Sequence, residues 1–277
     1  MMHSLLDTLQ VAFIGGGNMA SALIEGMLAQ GLPTTHVTIV EPYLPQREKH
    51  TARGWQALAE CTDELLKADV IVLAVKPQQL HAALQTLQPF VREQLIVSVA
   101  AGIRLADIAR WLGGYDKLIR TMPNTPALVG AGITGMYALP AVTTTEKERA
   151  AAMLNAVGEV VWVEDENQID AITALSGSGP AYVLYFIEAM QQAAAELGLS
   201  EAAGRSLAIG TFVGAAKLAA MSDEPASTLR EKVTSKGGTT FAALTHMQSQ
   251  QVKEHIVAAI HAANHRAGEL GDELGKD

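Results

Sequence analysis

Two stretches of this chain carry residue types at spacings suited to chemistry, and they stand near opposite ends. Residues 232–240 read Lys-Val-Thr-Ser-Lys-Gly-Gly-Thr-Thr, and Phe241, Leu244 and Met247 follow at helical spacing. Two glycines let the backbone bend with its N–H groups converging, and the first turn of the next helix adds N–H donors of its own. Thr234, Ser235, Thr239 and Thr240 offer hydroxyls but the loop holds little charge. That donor set suits one small carboxylate better than a triphosphate. The other stretch is Val11-Ala-Phe-Ile-Gly-Gly-Gly-Asn-Met-Ala20, in which Gly15-x-Gly17-x-x-Ala20 follows an apolar run and opens a helical pattern. This is the setting of a dinucleotide fingerprint. Gly15 allows the tight turn, Gly17 lets the backbone approach a pyrophosphate, and Ala20 is small enough for helix–strand packing. Gly16 completes the turn, and Asn18 and Met19 present N–H groups at the helix start. A nucleotide loop and a carboxylate loop on one chain point to a redox enzyme.

Further candidate cofactor contacts lie where strands should end. Glu41, 24 residues after Gly17, stands where an acid would hold a free ribose 2′-hydroxyl. Arg47, six residues on, could instead meet a 2′-phosphate or simply face solvent. The two leave the choice between NADPH and NADH open. Ala74-Val75-Lys76-Pro77 ends another apolar run, with Pro77 at a helix position where a missing N–H costs nothing. Lys76 could bind phosphate or face water. Ala100-Ala101-Gly102 is small enough to leave room for a nicotinamide ring. In Arg120-Thr-Met-Pro-Asn-Thr-Pro126, two prolines bracket Asn124 and Thr125, either presenting them to a cleft or making a rigid turn. Leu175-Ser-Gly-Ser-Gly-Pro-Ala-Tyr182 is either a ligand contact or the entry to a long helix.

The elements that must position these residues change rhythm along the chain. Candidate strands are 11–14, 37–40, 70–75, 95–99, 117–120, 132–137 and 160–163, with helical patterns at 19–29 and 78–90 between them. Thr145 with Glu148 reads as a capping box opening a helix over 146–156. Alternating strands and helices predict an α/β, mostly parallel, doubly wound sheet over residues 1–165. From 166 to 277 the pattern is all-helical: 181–197, 201–220, 225–232, 240–248 and 252–270. Its runs of Ala and Gly let helix axes approach closely, which serves a core bundle or contact between subunits.

Composition narrows the class. The 277 residues are 49% hydrophobic and 18% charged, with a net charge of −9 and no basic stripe, so nucleic acid and anionic membrane are unfavoured partners. The longest apolar run, Val70–Val75, cannot cross a bilayer, and the first residues lack the basic and apolar regions of a leader. One cysteine, Cys61, fits a reducing compartment, and the expected location is cytoplasmic. Cys61 has no basic neighbour in sequence to activate it. His261 and His265 lie one helical turn apart but off the apolar stripe of Ile256, Ile260, Ala263 and Ala267, which reads as solvated surface rather than a metal site.

The loop at Val11–Ala20, Ala74–Pro77, Arg120–Pro126, Leu175–Tyr182 and Thr234–Thr240, in this order, closely resemble the motifs of pyrroline-5-carboxylate reductases from Val11 to about Ala267. The resemblance implies a Rossmann-like domain followed by a helical dimerisation domain, with five dimers forming a decamer in some members. It implies NADPH, with NADH possible, as reductant and 1-pyrroline-5-carboxylate as substrate. The substrate carboxylate would take N–H groups at Ser235, Gly237, Gly238, Thr239 and Thr240. Thr240 would contact the ring nitrogen, and Glu166 matches a position near the substrate, although a first-turn acid also suits a helix start. Lys236 departs from a common proline, and Lys232 from an asparagine that touches cofactor in some members. β-Hydroxyacid dehydrogenases share the two-part layout but need a lysine at the domain junction, and none occurs between Lys147 and Lys217. A nucleotide-binding regulator without turnover would have no need of Ser235 and Thr240.

Overall fold

The computed structural model describes residues 5–276. Met1–Ser4, part of the stretch read against a leader, lie outside them. Eight strands form one sheet: β1 (Val11–Ile14), β2 (Val37–Val40), β3 (Gln56–Leu58), β4 (Val70–Leu73), β5 (Leu95–Ser98), β6 (Leu118–Met122), β7 (Gly132–Ala138) and β8 (Gly158–Trp162). Their order is β3-β2-β1-β4-β5-β6-β7-β8. Only β6 and β7 pair antiparallel; the other neighbours are parallel. Every residue of β1, β4 and β5 is buried, as expected of central strands covered on both faces.

Strand alternation divides the core into two layers. Val11 and Phe13 join Leu23, Ile24 and Met27 on one face, while Ala12 and Ile14 join Leu80, Leu84 and Ile108 on the other. The covering helices include α1 (Asn18–Ala29), α2 (Leu44–Ala52), α3 (Pro77–Leu87), α4 (Leu105–Trp111) and α5 (Thr144–Asn155). The chain leaves β1 for β2 on one side and later returns to place β4 on the other. The carboxyl ends of β1 and β4 therefore flank the point where strand order reverses, which is where doubly wound sheets bind ligands.

Helix α5 opens two residues before the expected box: Thr143 caps it, and Glu146 closes the reciprocal bond at 2.8 Å to the Thr143 N–H. Three consecutive threonines offered two registers. The earlier one buries Ala150, Met153 and Leu154 on the sheet. After β8 come α6 (Gln168–Ile172), a π-helical turn (Thr173–Gly177), α7 (Gly179–Glu196), α8 (Glu201–Ala220), α9 (Ala226–Lys232), α10 (Thr239–Ser249) and α11 (Val252–Leu274).

Contacts group the chain into one unit of residues 1–178 with 263–277 and a second of residues 179–262. The rhythm changes near residue 165, but packing carries the first unit further. Ile169 and Ala174 are buried, and Arg120 of β6 pairs with both Glu166 and Asp170. In the second unit α7 and α8 pack side by side, Phe186 and Phe212 stand 6.4 Å apart, and a Cβ on Gly204 would lie 2.9 Å from that of Ala194. Among the described residues no helix is long and apolar enough to cross a membrane.

Candidate functional site

A cleft of about 820 Å³ opens at the carboxyl ends of β1, β2 and β4. Gly15, Gly16, Gly17, Glu41, Ala74, Val75 and Lys76 line it, together with Glu60 and Cys61 beyond β3. The three glycines differ physically. Gly15 has φ +97°, and a Cβ there would lie 2.8 Å from the Ala74 carbonyl oxygen and the Val75 side chain, so both conformation and space require glycine. A Cβ on Gly16 would fall 2.3 Å from Nε2 of His50. At Gly17 the backbone is extended and a Cβ would meet nothing within 4 Å. Gly17 lines the cleft with open space beside it, and α1 begins there without a side-chain cap. Its first N–H groups, on Asn18 and Met19, remain available to an anion. Free N–H groups at an uncapped helix start are a setting in which a pyrophosphate can bind.

Side chains that the fingerprint does not include hold the Gly16 peptides. Its N–H donates to Glu41 Oε2 at 3.0 Å. Its carbonyl accepts from Gln46 Nε2 at 2.9 Å and from His50 Nε2 at 2.8 Å. His50 is buried against Trp55, and its Nδ1 has no partner. The carbonyl contact requires Nε2 to carry the hydrogen, leaving Nδ1 as a bare acceptor. Gln46 and His50 lie four residues apart on α2, and nothing in their spacing separates them from a solvated helix face. Glu41 Oε1 also accepts from the Tyr43 N–H at 2.9 Å, and Arg47 Nη1 donates to the carbonyls of Glu41 and Pro42. Burial pushes the Cys61 thiol above its ordinary value, which suits an inert lining residue.

The remaining cofactor candidates of the first unit lie at strand ends outside this lining. Pro77 starts α3 as expected, with Lys76 as its exposed N-cap. Ala100 is buried, and its N–H takes Ser98 Oγ at 3.3 Å, while Ala101 is half-buried. Asn124 neither fills the cleft nor satisfies only its own turn. Its Oδ1 accepts from the Ile133 N–H at 3.0 Å, and its Nδ2 donates to Ser176 O and Oγ, both at 3.3 Å. Two of the distinctive motifs are thus tied together. Glu166 accepts from the Leu105 N–H at 2.7 Å and from Arg120 Nη1 at 3.3 Å, so it closes the start of α4 rather than serving the first turn of its own helix. Arg120, 2% exposed, reaches Asp170 at 2.6 Å with its other amino group. Both partners lie more than 40 residues along the chain; sequence inspection named Glu166 but missed Asp170 and the pairing of both with Arg120.

In the second unit, residues 234–238 turn sharply into α10. Gly237 has φ +74°, and the Gly238 N–H donates to the Ser235 carbonyl at 3.0 Å. A Cβ on Gly238 would meet Ser235 Oγ at 2.5 Å, so this glycine permits the tight approach. Gly238 is the N-cap of α10 and supplies no side-chain acceptor. Ser235 and Thr239 are exposed and Thr240 is half-buried. Lys232 pairs with Glu224. The loop is an uncapped helix start rimmed by hydroxyls, which can take one small anion. His265 lies beside Glu269, and no metal-binding group of three side chains occurs among the described residues.

Comparisons with known proteins match both halves of the chain. A family model for pyrroline-5-carboxylate reductase dimerisation matches residues 166–270, and one for NADP oxidoreductase, coenzyme F420-dependent, matches residues 10–102. The first begins at the rhythm change rather than at the packing boundary. The chain is similar to the Pseudomonas aeruginosa pyrroline-5-carboxylate reductase, 43% identical over 98% of this chain and 100% of the relative. Its fold is similar to that of a pyrroline-5-carboxylate reductase from Coxiella burnetii, with a TM-score of 0.89 and 38% identity over 95% of this chain and 98% of the other. A Plasmodium falciparum pyrroline carboxylate reductase solved with NADP bound gives 0.86 and 28%, over 96% and 99%. With a glycine-lined cleft at one end, an uncapped helix start at the other, and relatives aligned along nearly its whole length, the chain belongs to the pyrroline-5-carboxylate reductase family.

Proposed function

We propose that this protein is an oxidoreductase that reduces 1-pyrroline-5-carboxylate to L-proline, the last step of proline biosynthesis, using NAD(P)H. The observation that carries this reading is the pairing, on one chain of this family, of an open Gly17 cradle with the uncapped α10 loop. The reduced nicotinamide supplies the hydride, which goes to the imine carbon.

The chain's own residues bind and orient. Gly15, Gly16 and Gly17 shape the phosphate turn, and Asn18 and Met19 donate N–H groups to it. Glu41 serves the ribose. Ala74, Val75, Lys76 and Pro77, with Ala100, Ala101 and Asn124, border the rest of the nucleotide. Backbone N–H groups at Ser235, Gly237, Gly238, Thr239 and Thr240 hold the substrate carboxylate; Glu166 is a further residue that the family resemblance assigns to substrate. Thr240 orients the imine nitrogen. A hydroxyl is a poor acid, so the proton comes from solvent. Holding the reactants in contact supplies most of the acceleration.

The working unit is a homodimer formed through the helical region, and the family resemblance leaves open both that dimer and a decamer of five dimers. Leu184 and Tyr185 on α7 and Leu207 and Leu218 on α8 are all exposed on the single chain, and such faces favour self-association. Nucleic acid and membrane are not partners, and the enzyme works in the cytoplasm.

Thr240 gives the test. Thr240→Ala lowers turnover by roughly tenfold to a hundredfold while KM for the imine moves less, because the backbone donors remain. Thr240→Ser keeps most activity. Steady-state kinetics with NADPH and NADH check both. Wild-type turnover in the alanine variant would reduce Thr240 to part of the clamp, and no turnover by the unaltered protein would sink the reading.

A further inference from the structure

We propose that Glu41 makes the nucleotide cleft selective for a free ribose 2′-hydroxyl, so that this protein binds NADH in preference to NADPH. The proposal rests on the reductase reading above and specifies its reductant.

Glu41 follows the last residue of β2, at the edge where a doubly wound sheet receives the ribose. Its carboxylate is held from both sides. Oε2 accepts from the Gly16 N–H at 3.0 Å and Oε1 from the Tyr43 N–H at 2.9 Å. Turning the side chain away would release two backbone donors, one of them in the phosphate loop itself. A carboxylate has about four lone-pair sites, so two remain for a ribose hydroxyl. A phosphate in the same place offers only negative oxygens and no donor the carboxylate needs.

The charges lining the cleft at that edge are mostly negative. Glu60 lines the same cleft just beyond β3, the strand next to β2, and adds a second negative charge. Lys76 is the cation in the lining, but it follows β4, two strand positions from β2, or roughly 10 Å away. On α2, Arg47 directs Nη1 to the carbonyls of Glu41 and Pro42, at 2.8 and 3.0 Å. Lys49 lines a separate concavity with Asn18 and Glu25, and Arg53 pairs with Glu25. A 2′-phosphate at Glu41 would therefore meet two carboxylates, and the cation beside it, Arg47, is drawn by Nη1 onto the backbone carbonyls of Glu41 and Pro42.

Equilibrium titration of the intact protein with NADH and with NADPH, followed by nucleotide fluorescence, tests this without turnover. The dissociation constant for NADH should be lower by about tenfold. Glu41→Gln keeps the shape and removes the charge; it should close the gap by about tenfold, chiefly by tightening NADPH. Competition by adenosine 5′-diphosphate and adenosine 2′,5′-diphosphate should follow the same order. Equal or tighter NADPH binding by the unaltered protein overturns the proposal and leaves the reductase reading standing. So does an unmoved ratio in a folded Glu41→Gln protein, and the unaltered protein's ratio decides the matter if that variant does not fold. Failure to bind either dinucleotide overturns both.

Discussion

Gly17 offers a clean separation of binding from folding. A Cβ there touches nothing within 4 Å, and the backbone, at φ −71° and ψ −172°, is one that any residue adopts. Two small terms act on stability in Gly17→Ala. Alanine is a poorer N-cap than glycine by about 0.5–1 kcal/mol. Restricting the unfolded chain returns about 0.4–1 kcal/mol. They nearly cancel, so the melting temperature should stay within a few degrees, about the shift expected for 1 kcal/mol. Binding should not survive as well, because the methyl would be added at a cleft-lining residue beside the α1 N–H groups, where a pyrophosphate needs close approach to the backbone. Losing one charge-assisted hydrogen bond costs about 1.5–3 kcal/mol. At about 1.4 kcal/mol per decade, affinity should fall tenfold to a hundredfold in Gly17→Ala. Gly17→Val should abolish binding outright. Fluorescence titration with NADH and NADPH, beside circular dichroism and thermal melts, measures both quantities. Gly15→Ala is the contrasting control, since its positive φ and its 2.8 Å approach to Ala74 should damage the fold itself. A folded Gly17→Val protein with undiminished affinity would show that the glycine loop is only a turn.

Two further outcomes concern ion pairs away from the cleft. Arg120→Ala should destabilise by about 3 kcal/mol, the lower end for breaking a buried pair, because Glu166 and Asp170 keep some access to water; a urea-unfolding difference below 1 kcal/mol would refute the triad's importance. Burial raises the Glu146 carboxyl, but the Thr143 N–H and hydroxyl and the Lys117 ammonium outweigh it and hold the group below its ordinary value of 4.5. Its charge therefore stabilises the fold fully above that value and ceases to do so as pH falls through the lower, folded one. Glu146→Gln should cost about 0.3–1 kcal/mol near neutral pH and converge with the unaltered protein in acid; a difference constant with pH would refute the assignment.

Seven of the eight strands were legible from consecutive apolar and β-branched residues, which even the edge strand β8 has in Val160-Val161-Trp162. β3 was not: Gln56-Ala-Leu58 is three residues of weak strand preference at the sheet edge, recruited by pairing with β2. Helix α2 was missed for a similar reason, since nine mostly polar residues bury only His50 and leave no apolar stripe. Local chemistry revealed Gly15–Gly17 and the 234–240 loop, because glycine, hydroxyl and helix start are adjacent there. Glu166 and Asn124 depended on long-range partners, Leu105 and Arg120 for one and Ile133 and Ser176 for the other. No spacing rule reports contacts of that kind.

The grip on Gly16 means that the glycine fingerprint is not a portable cassette. Its N–H is fastened from the end of β2, and its carbonyl from two positions on α2. A chimera that moved residues 11–20 alone into another doubly wound scaffold would leave Glu41, Gln46 and His50 behind. It would carry a buried carbonyl whose two donors had gone, at a cost on the order of 1–3 kcal/mol. The smallest inheritable piece runs from β1 through α2, and within it the side chain facing Gly16 must change whenever residue 16 does. Drift in the nucleotide loop is thereby coupled to drift in a helix about 30 residues away.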